Sequence, residues 1–290
     1  MSEPLTAPIN KILPYSVVDG PGNRVAIFFQ RCNIHCDYCH NPETQNLCRN
    51  CGACVEECPG KALRMVNGQV CWAAEKCLGC DRCIQVCPNR ASPKVTEMTP
   101  EQVFERICES LPFIRGITVS GGECSLYPEF LEKLFLLTRE KHLTALMDCN
   151  GTIDLSRYPE LMALCDGVML DVKSWDPEAF SSLTGGSGKN VKKNLLWLSQ
   201  QGNFDESCAD LAPNIALIEK WNHAADDRIR VSLAPHSEGA TTEKVLLKLI
   251  RFRHFGVRGE LSNWPSPSME TMLEWKDLAI GAGFRRILVL

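Results

Sequence analysis

Arg24-Val-Ala-Ile-Phe-Phe-Gln-Arg-Cys-Asn-Ile-His-Cys-Asp-Tyr-Cys39 runs from an apolar stretch of strand type straight into three cysteines. Asp19-Gly-Pro-Gly22 ahead of it is turn-forming, so a strand is expected to open at Arg24. Cys32, Cys36 and Cys39 read C-x3-C-x2-C, one thiolate short of a closed four-coordinate site. An open coordination position separates a reactive metal site from a structural one. Three thiolates can hold three irons of a [4Fe–4S] cube and leave the fourth to an exogenous ligand. S-adenosylmethionine (SAM) can supply that ligand through its amino and carboxylate groups. A zinc site completed by His35 or His40 is the alternative, because imidazole is a good zinc ligand.

Strands and helices alternate further along. Thr99-Pro-Glu-Gln102 offers a threonine N-cap, a proline at the first helical position and a glutamine three residues on. Gly116-Ile-Thr-Val-Ser120 predicts a strand, followed by a helix over 128–141. Thr144-Ala-Leu-Met147 precedes a helix near 157–164, and Val168-Met-Leu-Asp-Val172 precedes a helix opened by Asp176-Pro177. This repetition predicts an α/β fold with a parallel sheet, flat or closed into a full or partial barrel. Charged motifs fall at strand ends: Ser120-Gly121-Gly122-Glu123, Asp148-Cys-Asn-Gly151 and Asp171-Val-Lys173. Paired glycines let a backbone approach a ligand, and Glu123 offers a partner for an ammonium group. Capping and solvated loop charges are the plainer reading of Asp148, Asp171 and Lys173.

A second cysteine pattern lies between these parts. Cys48, Cys51, Cys54 and Cys58 read C-x2-C-x2-C-x3-C before Pro59, and Cys77, Cys80, Cys83 and Cys87 repeat it 29 residues later before Pro88. This is the two-cluster ferredoxin run, in which the fourth cysteine ligates the other cluster. One set is therefore Cys48, Cys51, Cys54 and Cys87, and the other Cys58, Cys77, Cys80 and Cys83. A pair of zinc knuckles is the alternative, but zinc favours separated cysteine pairs. Cys71, Cys108, Cys124, Cys149, Cys165 and Cys208 complete the 17 cysteines and read mostly as small core residues.

The composition, 44% hydrophobic and 23% charged, is that of a soluble globular protein. A net charge of −4 argues against a general nucleic-acid binder. No run approaches the ~18 apolar residues of a membrane span, and no leader is evident, so a cytoplasmic protein is expected. Reduced cytosolic thiols favour metal binding over disulfides.

With these motifs in place, the chain resembles the activating enzymes of glycyl radical enzymes, in the radical SAM superfamily. Gly20, Gly22, Arg24, Phe28, Cys32, Cys36, Cys39 and Asn41-Pro42 resemble their signature, and Arg31 stands where the family has glycine. Phe252-Arg-His-Phe-Gly-Val-Arg-Gly259 is most similar to the YjjW type. The resemblance implies a partial (β/α) barrel of radical SAM type, over residues 1–45 and 95–290, with a ferredoxin-like insert at 46–94 carrying two [4Fe–4S] clusters. It implies three clusters in all, SAM, a glycyl radical enzyme as protein substrate, and an electron donor such as flavodoxin or ferredoxin. Ser120, Gly121, Gly122 and Glu123 would bind the methionyl amino group, and Tyr38 would lie against the adenine. Asp148, Asp171 and Lys173 match positions near the SAM carboxylate and, in a relative, a monovalent cation; Cys149 replaces the usual threonine there. His254 is the candidate for a late histidine that approaches SAM. A radical SAM enzyme acting on a small molecule, and a plain electron carrier, are the competing functions.

One stretch does not fit. Phe204-Asp-Glu-Ser-Cys-Ala-Asp-Leu-Ala-Pro213 has no periodicity, and Arg228-Ile-Arg-Val-Ser-Leu233 alternates like a half-exposed strand, unlike a buried barrel strand. Residues 202–244 are expected to be atypical, by divergence or a shifted reading frame, and poorly ordered.

Overall fold

The computed structural model describes residues 4–174, 176–200, 246–252, 254, 257, 260–281 and 284–289. The first half carries β1 (Ala7–Ser16), β2 (Arg24–Phe29), β3 (Leu63–Val66), β4 (Gln69–Trp72), α1 (Arg82–Gln85), β5 (Thr96–Met98), α2 (Pro100–Cys108) and β6 (Gly116–Gly121). Then come α3 (Pro128–Glu140), β7 (Thr144–Cys149), α4 (Pro159–Leu164), β8 (Gly167–Leu170), α5 (Pro177–Thr184) and α6 (Lys189–Gln200). Beyond them are β9 (Leu246–Leu249), α7 (Met269–Gly281) and β10 (Arg286–Val289). The expectations for residues 202–244, including the strand at 228–233, lie outside the described residues.

Six strands form the main sheet in the order β5-β1-β2-β6-β7-β8. From β2 to β8 the pairing is parallel, as the strand–helix alternation predicts. On the other side β1 runs antiparallel to both β2 and β5, which corrects the expectation of a parallel sheet there. The reason is the connection. Only residues 17–23 join β1 to β2, and a parallel crossover needs a dozen residues or more. β9 and β10 form a separate parallel pair.

The helices begin where their caps place them. Thr99 Oγ1 accepts from Gln102 N at 3.3 Å while Gln102 Oε1 accepts from Thr99 N at 2.9 Å, so the capping box at α2 is complete. Asp176 caps α5, accepting from Ala179 N at 2.8 Å. α3 buries Phe130, Leu131, Leu134 and Phe135, a stripe at helical spacing against the sheet. Every residue of β2 is buried, Arg24 included. Its guanidinium reaches Thr118 Oγ1 (2.9 Å), Ile117 O (2.6 Å) and Thr144 O (2.9 Å), and so ties the starts of β2, β6 and β7 together. Arg24 is thus a structural member of the signature, held by carbonyls at the end of the sheet remote from the cysteines.

Residues 48–91 repeat their backbone as well as their cysteines. Left-handed residues recur at the same offset: Asn50 and Gly79, Gly52 and Asp81, Lys61 and Arg90. Cys58 Sγ accepts from Ala62 N at 3.3 Å, and Cys87 Sγ from Ala91 N at 3.5 Å. Between the halves, β3 and β4 form a hairpin turned at Asn67-Gly68, both left-handed, as a two-residue turn demands. A bridge between Asn46 and Ala91 closes the segment onto the rest of the chain.

Candidate active site

Cys32, Cys36 and Cys39 stand on the loop that leaves β2. Its two limbs are joined by Arg31 N donating to Thr44 O (2.7 Å) and Cys32 N to Gln45 O (2.9 Å). Arg31 sits at φ 83, in the left-handed region where a side chain is strained. The glycine that the resemblance leads one to expect here would be free of that strain. His35 N and Asp37 N donate to Thr184 O (2.7 Å) and Leu183 O (3.0 Å), which anchors the loop on the end of α5. Beneath it, Ile34 packs so closely on Gly186 that a Cβ there would come within 2.4 Å of Ile34 Cγ2.

The loop roofs a cavity of about 370 Å³, within the usual range of small-molecule sites. Cys32, Cys36, Cys39 and Tyr38 line it from the loop, and Ser120, Gly121, Gly122 and Glu123 from the end of β6. Asp148 faces it from β7, and Asp171 and Lys173 from just beyond β8. One chamber therefore gathers all of these expected site residues. His254 is not among them: it is exposed, and its ring contacts the Trp264 carbonyl and the Phe252 ring. The rest of the late motif at 253, 255, 256, 258 and 259 lies outside the described residues.

The paired glycines, which line the cavity, also seat the cysteine loop. A Cβ on Gly121, at φ 108, would meet Phe29 N at 2.4 Å, and one on Gly122 would meet Arg31 O at 2.2 Å. They let the end of β6 press against the backbone of the cysteine loop, where Gly122 N donates to Phe29 O and Glu123 N to Arg31 O, each at 2.9 Å. Glu123 is buried, and its carboxylate accepts from Ser125 N (3.0 Å), Ser125 Oγ and Asn150 N (2.7 Å). Burial raises its pKa in spite of these donors. A carboxylate has about four lone-pair sites, so one is left for a ligand's ammonium.

Charge is arranged around the same chamber. Lys173 pairs with Asp171 and lies 5.8 Å over the Tyr38 ring. Burial works against its charge, but Asp171 and its other neighbours hold it protonated well above the usual range. Asp148 is pushed up to about 7 by burial and by Asp171, against a 2.8 Å hydrogen bond from Ser120 Oγ. Burial pushes the Cys32 thiol up to about 12 and Cys36 up to about 11, and it raises Cys39 as well. Glu123 and the other two thiols add to the shift at Cys32. Three half-buried thiols whose charges raise one another are a poor resting state, and metal binding relieves it by removing their protons. The residues therefore fit a thiolate-held cluster.

Two cavity residues escaped the sequence reading. Asn150 Nδ2 donates to Cys32 Sγ (3.7 Å) and Asn33 Oδ1 (3.0 Å), which couples the end of β7 to the loop. Its place in the Asp148-Cys-Asn-Gly151 strand end was the available signal. Lys248 of β9 also faces the chamber, beside Met169 Sδ at 3.5 Å. It lies within the apolar Val245-Leu-Leu-Lys-Leu-Ile250, where a single charge drew no notice.

In the duplicated segment burial and neighbouring charges raise two of the thiols. Burial and then the thiols of Cys83, Cys48 and Cys87 push Cys54 up to about 11, against a backbone hydrogen bond. Burial raises Cys83 against the opposing charge of Lys94, and Asp81 and Cys77 raise it further. Among the described residues, no three His, Cys, Asp or Glu side chains close around a single-ion site. A four-iron cube needs its thiols more widely spread than one ion does.

The Radical SAM superfamily profile matches residues 26–214. The pyruvate formate-lyase-activating enzyme of Streptococcus mutans is 30% identical over 69% of this chain and 63% of its own length. A putative glycyl-radical enzyme activating enzyme of Haemophilus influenzae is 29% identical over 57% of this chain and 47% of its own. The choline trimethylamine-lyase activating enzyme of Oleidesulfovibrio alaskensis is 32% identical over 76% of this chain and 74% of its own. The chain thus spans about half to two thirds of the first two relatives. Among the described residues, no helix is long and apolar enough to cross a membrane.

Proposed function

The chain belongs to the radical SAM superfamily and, within it, to the activating enzymes of glycyl radical enzymes, and from that premise we propose that it is itself such an activase, working on a partner protein. The observation that carries this reading is the single chamber shared by Cys32, Cys36, Cys39 and the ends of β6, β7 and β8. Cys32, Cys36 and Cys39 would hold a [4Fe–4S] cluster, which when bound and reduced would supply the electron that cleaves SAM to methionine and a 5′-deoxyadenosyl radical able to take hydrogen from a glycine Cα. Radical chemistry belongs to the cofactor, and the protein binds, orients and excludes water.

Each residue then has a task. Cys32, Cys36 and Cys39 hold three irons and leave one for SAM. The remaining lone pair of Glu123, with the backbone of Ser120, Gly121 and Gly122, takes the methionyl ammonium. Lys173 and Lys248 supply positive charge for the methionyl carboxylate. Tyr38, facing the chamber from the loop, offers its ring to the adenine. Asp148 and Asp171 balance the cationic sulfonium. The sheet and β9 form the walls of a partial barrel. No side chain needs to act as a general acid or base.

Residues 46–94 form a ferredoxin-like insert with two further clusters, one on Cys48, Cys51, Cys54 and Cys87 and one on Cys58, Cys77, Cys80 and Cys83. That crossed assignment follows the two-cluster ferredoxin run, in which the fourth cysteine ligates the other cluster. The insert relays electrons from a flavodoxin or ferredoxin in the cytoplasm. Assignment to the YjjW type rests on residues 252–259 alone.

Anaerobic reconstitution with iron and sulfide, then dithionite reduction with SAM, tests the reading. About twelve irons and formation of 5′-deoxyadenosine are expected, with cleavage lost in Cys36→Ser. Cleavage that persists in Cys36→Ser defeats it.

A further inference from the structure

The end of β7 carries a side chain whose polar atoms are all committed. Asn150 is buried, 5% exposed. Its Oδ1 accepts from Thr152 N at 3.0 Å and from Thr152 Oγ1 at 2.6 Å. With both lone pairs of that oxygen taken by donors, the amide cannot flip, and Nδ2 faces the other way. There it donates to Asn33 Oδ1 at 3.0 Å and to Cys32 Sγ at 3.7 Å.

A closed ring of bonds holds that direction. Asn33 Nδ2 donates to Thr152 Oγ1 at 2.7 Å, Thr152 Oγ1 to Asn150 Oδ1, and Asn150 Nδ2 to Asn33 Oδ1. Each donor meets an acceptor, and bonds in such a network polarise one another. The backbone makes the ring possible, because Gly151 at φ 69 turns the chain and returns Thr152 to the amide. A Cβ at Gly151 would stand 2.5 Å from Leu170 Cδ1. Asn150 N is held as well, donating to Glu123 Oε2 at 2.7 Å. The Asn33–Thr152 bond already ties the cysteine loop to the end of β7, so the bond to Cys32 is not needed for that task.

Hydrogen bonds to the sulfurs of an iron–sulfur cluster help to set its potential, and a donor favours the more electron-rich, reduced form. Resting on the reading that Cys32, Cys36 and Cys39 hold a cluster, we propose that Asn150 is a positioning residue that acts through Cys32 to raise the reduction potential of that cluster. Its amide is a donor fixed in advance on one ligand sulfur, and the site then takes up its electron more readily.

The test titrates the reconstituted full chain potentiometrically, without SAM and with EPR detection. The midpoint missing from Cys36→Ser belongs to the loop cluster, and the others serve as internal references. Asn150→Leu keeps the branched shape without the amide. It should make the loop cluster about threefold or more harder to reduce, a fall of about 28 mV at about 59 mV per tenfold, with the references in place. Asn150→Ser, too short to reach Cys32, should do the same, and it decides the matter alone if Asn150→Leu loses iron. A smaller fall, a rise, or a shift shared with the references overturns the proposal. Loss of the loop cluster from both variants overturns it too, since Asn150 is then purely structural. If Cys36→Ser removes no midpoint, the reading of the cysteine site itself fails, before any Asn150 variant is made.

Discussion

Replacing Gly122 with alanine tests how the cysteine loop is seated. The added Cβ would stand 2.2 Å from Arg31 O, 2.6 Å from Arg31 C and 2.7 Å from Thr44 O. All three are backbone atoms, so no side chain can swing aside, and the loop and the end of β6 must part by about 1 Å to restore ordinary contact. Overpacking of this kind costs about 1–3 kcal/mol. The separation also strains the Gly122 N to Phe29 O and Glu123 N to Arg31 O hydrogen bonds, each 2.9 Å now, at about 1 kcal/mol apiece. A total near 3 kcal/mol corresponds to a fall in Tm of roughly 6–12 °C for a domain of this size. Anaerobic thermal unfolding of the metal-free chain, followed by circular dichroism, measures it. A fall of less than about 2 °C would refute the packing argument, because the contact is with backbone that has nowhere to go.

Arg31→Gly relieves a left-handed residue at φ 83, and the gain of about 1–2 kcal/mol less the entropy cost of glycine should raise Tm by a few degrees; an unchanged or lower Tm contradicts it. Asp148 has a folded pKa near 7 against about 3.9 unfolded. The native state therefore binds the extra proton between those values, and this group's contribution is full below about pH 4 and lost as pH rises through 7. Asp148→Asn should stabilise the metal-free chain more at pH 8 than at pH 5; equal effects at both pH values count against the burial of this carboxyl. For the crossed ligand sets, Cys87→Ser should perturb the EPR signal of the same cluster as Cys48→Ser, and Cys58→Ser that of Cys77→Ser. The opposite pairing would mean that each half closes on itself.

Much of this arrangement is legible in the amino-acid order, for physical reasons. The capping box at Thr99 and the Asp176-Pro177 start are local devices that act wherever they occur, and both helices begin there. Strand ends at Ser120, Asp148 and Asp171 follow from apolar runs interrupted by charge. β1 was missed because Ala7-Pro-Ile-Asn-Lys-Ile-Leu-Pro-Tyr-Ser16 carries two prolines. Pro14 falls in the irregular register between Leu13 and Ser16, where no ladder bond is required of it. Gly121 and Gly122 line the chamber as the strand-end motif implies, but their second task, close contact with the chain's own cysteine loop, is a long-range one that local pattern cannot reveal. His254 rests on the resemblance to a late histidine of the family, and its offset from Gly256 differs from the common pattern. The fold instead brings Lys248 to the chamber, from a strand that completes the wall of the site.

The central claim is that the radical made at this site takes hydrogen from a glycine of another protein. The direct measurement incubates the reconstituted enzyme and SAM with glycyl radical enzymes grown on glycine deuterated at Cα, and analyses the 5′-deoxyadenosine by mass spectrometry. Deuterium in the 5′-deoxyadenosine, together with a glycine-centred EPR signal in one of the partners, is the predicted result. SAM cleavage that leaves the product unlabelled and every partner silent, but becomes fast with a small molecule, would contradict it.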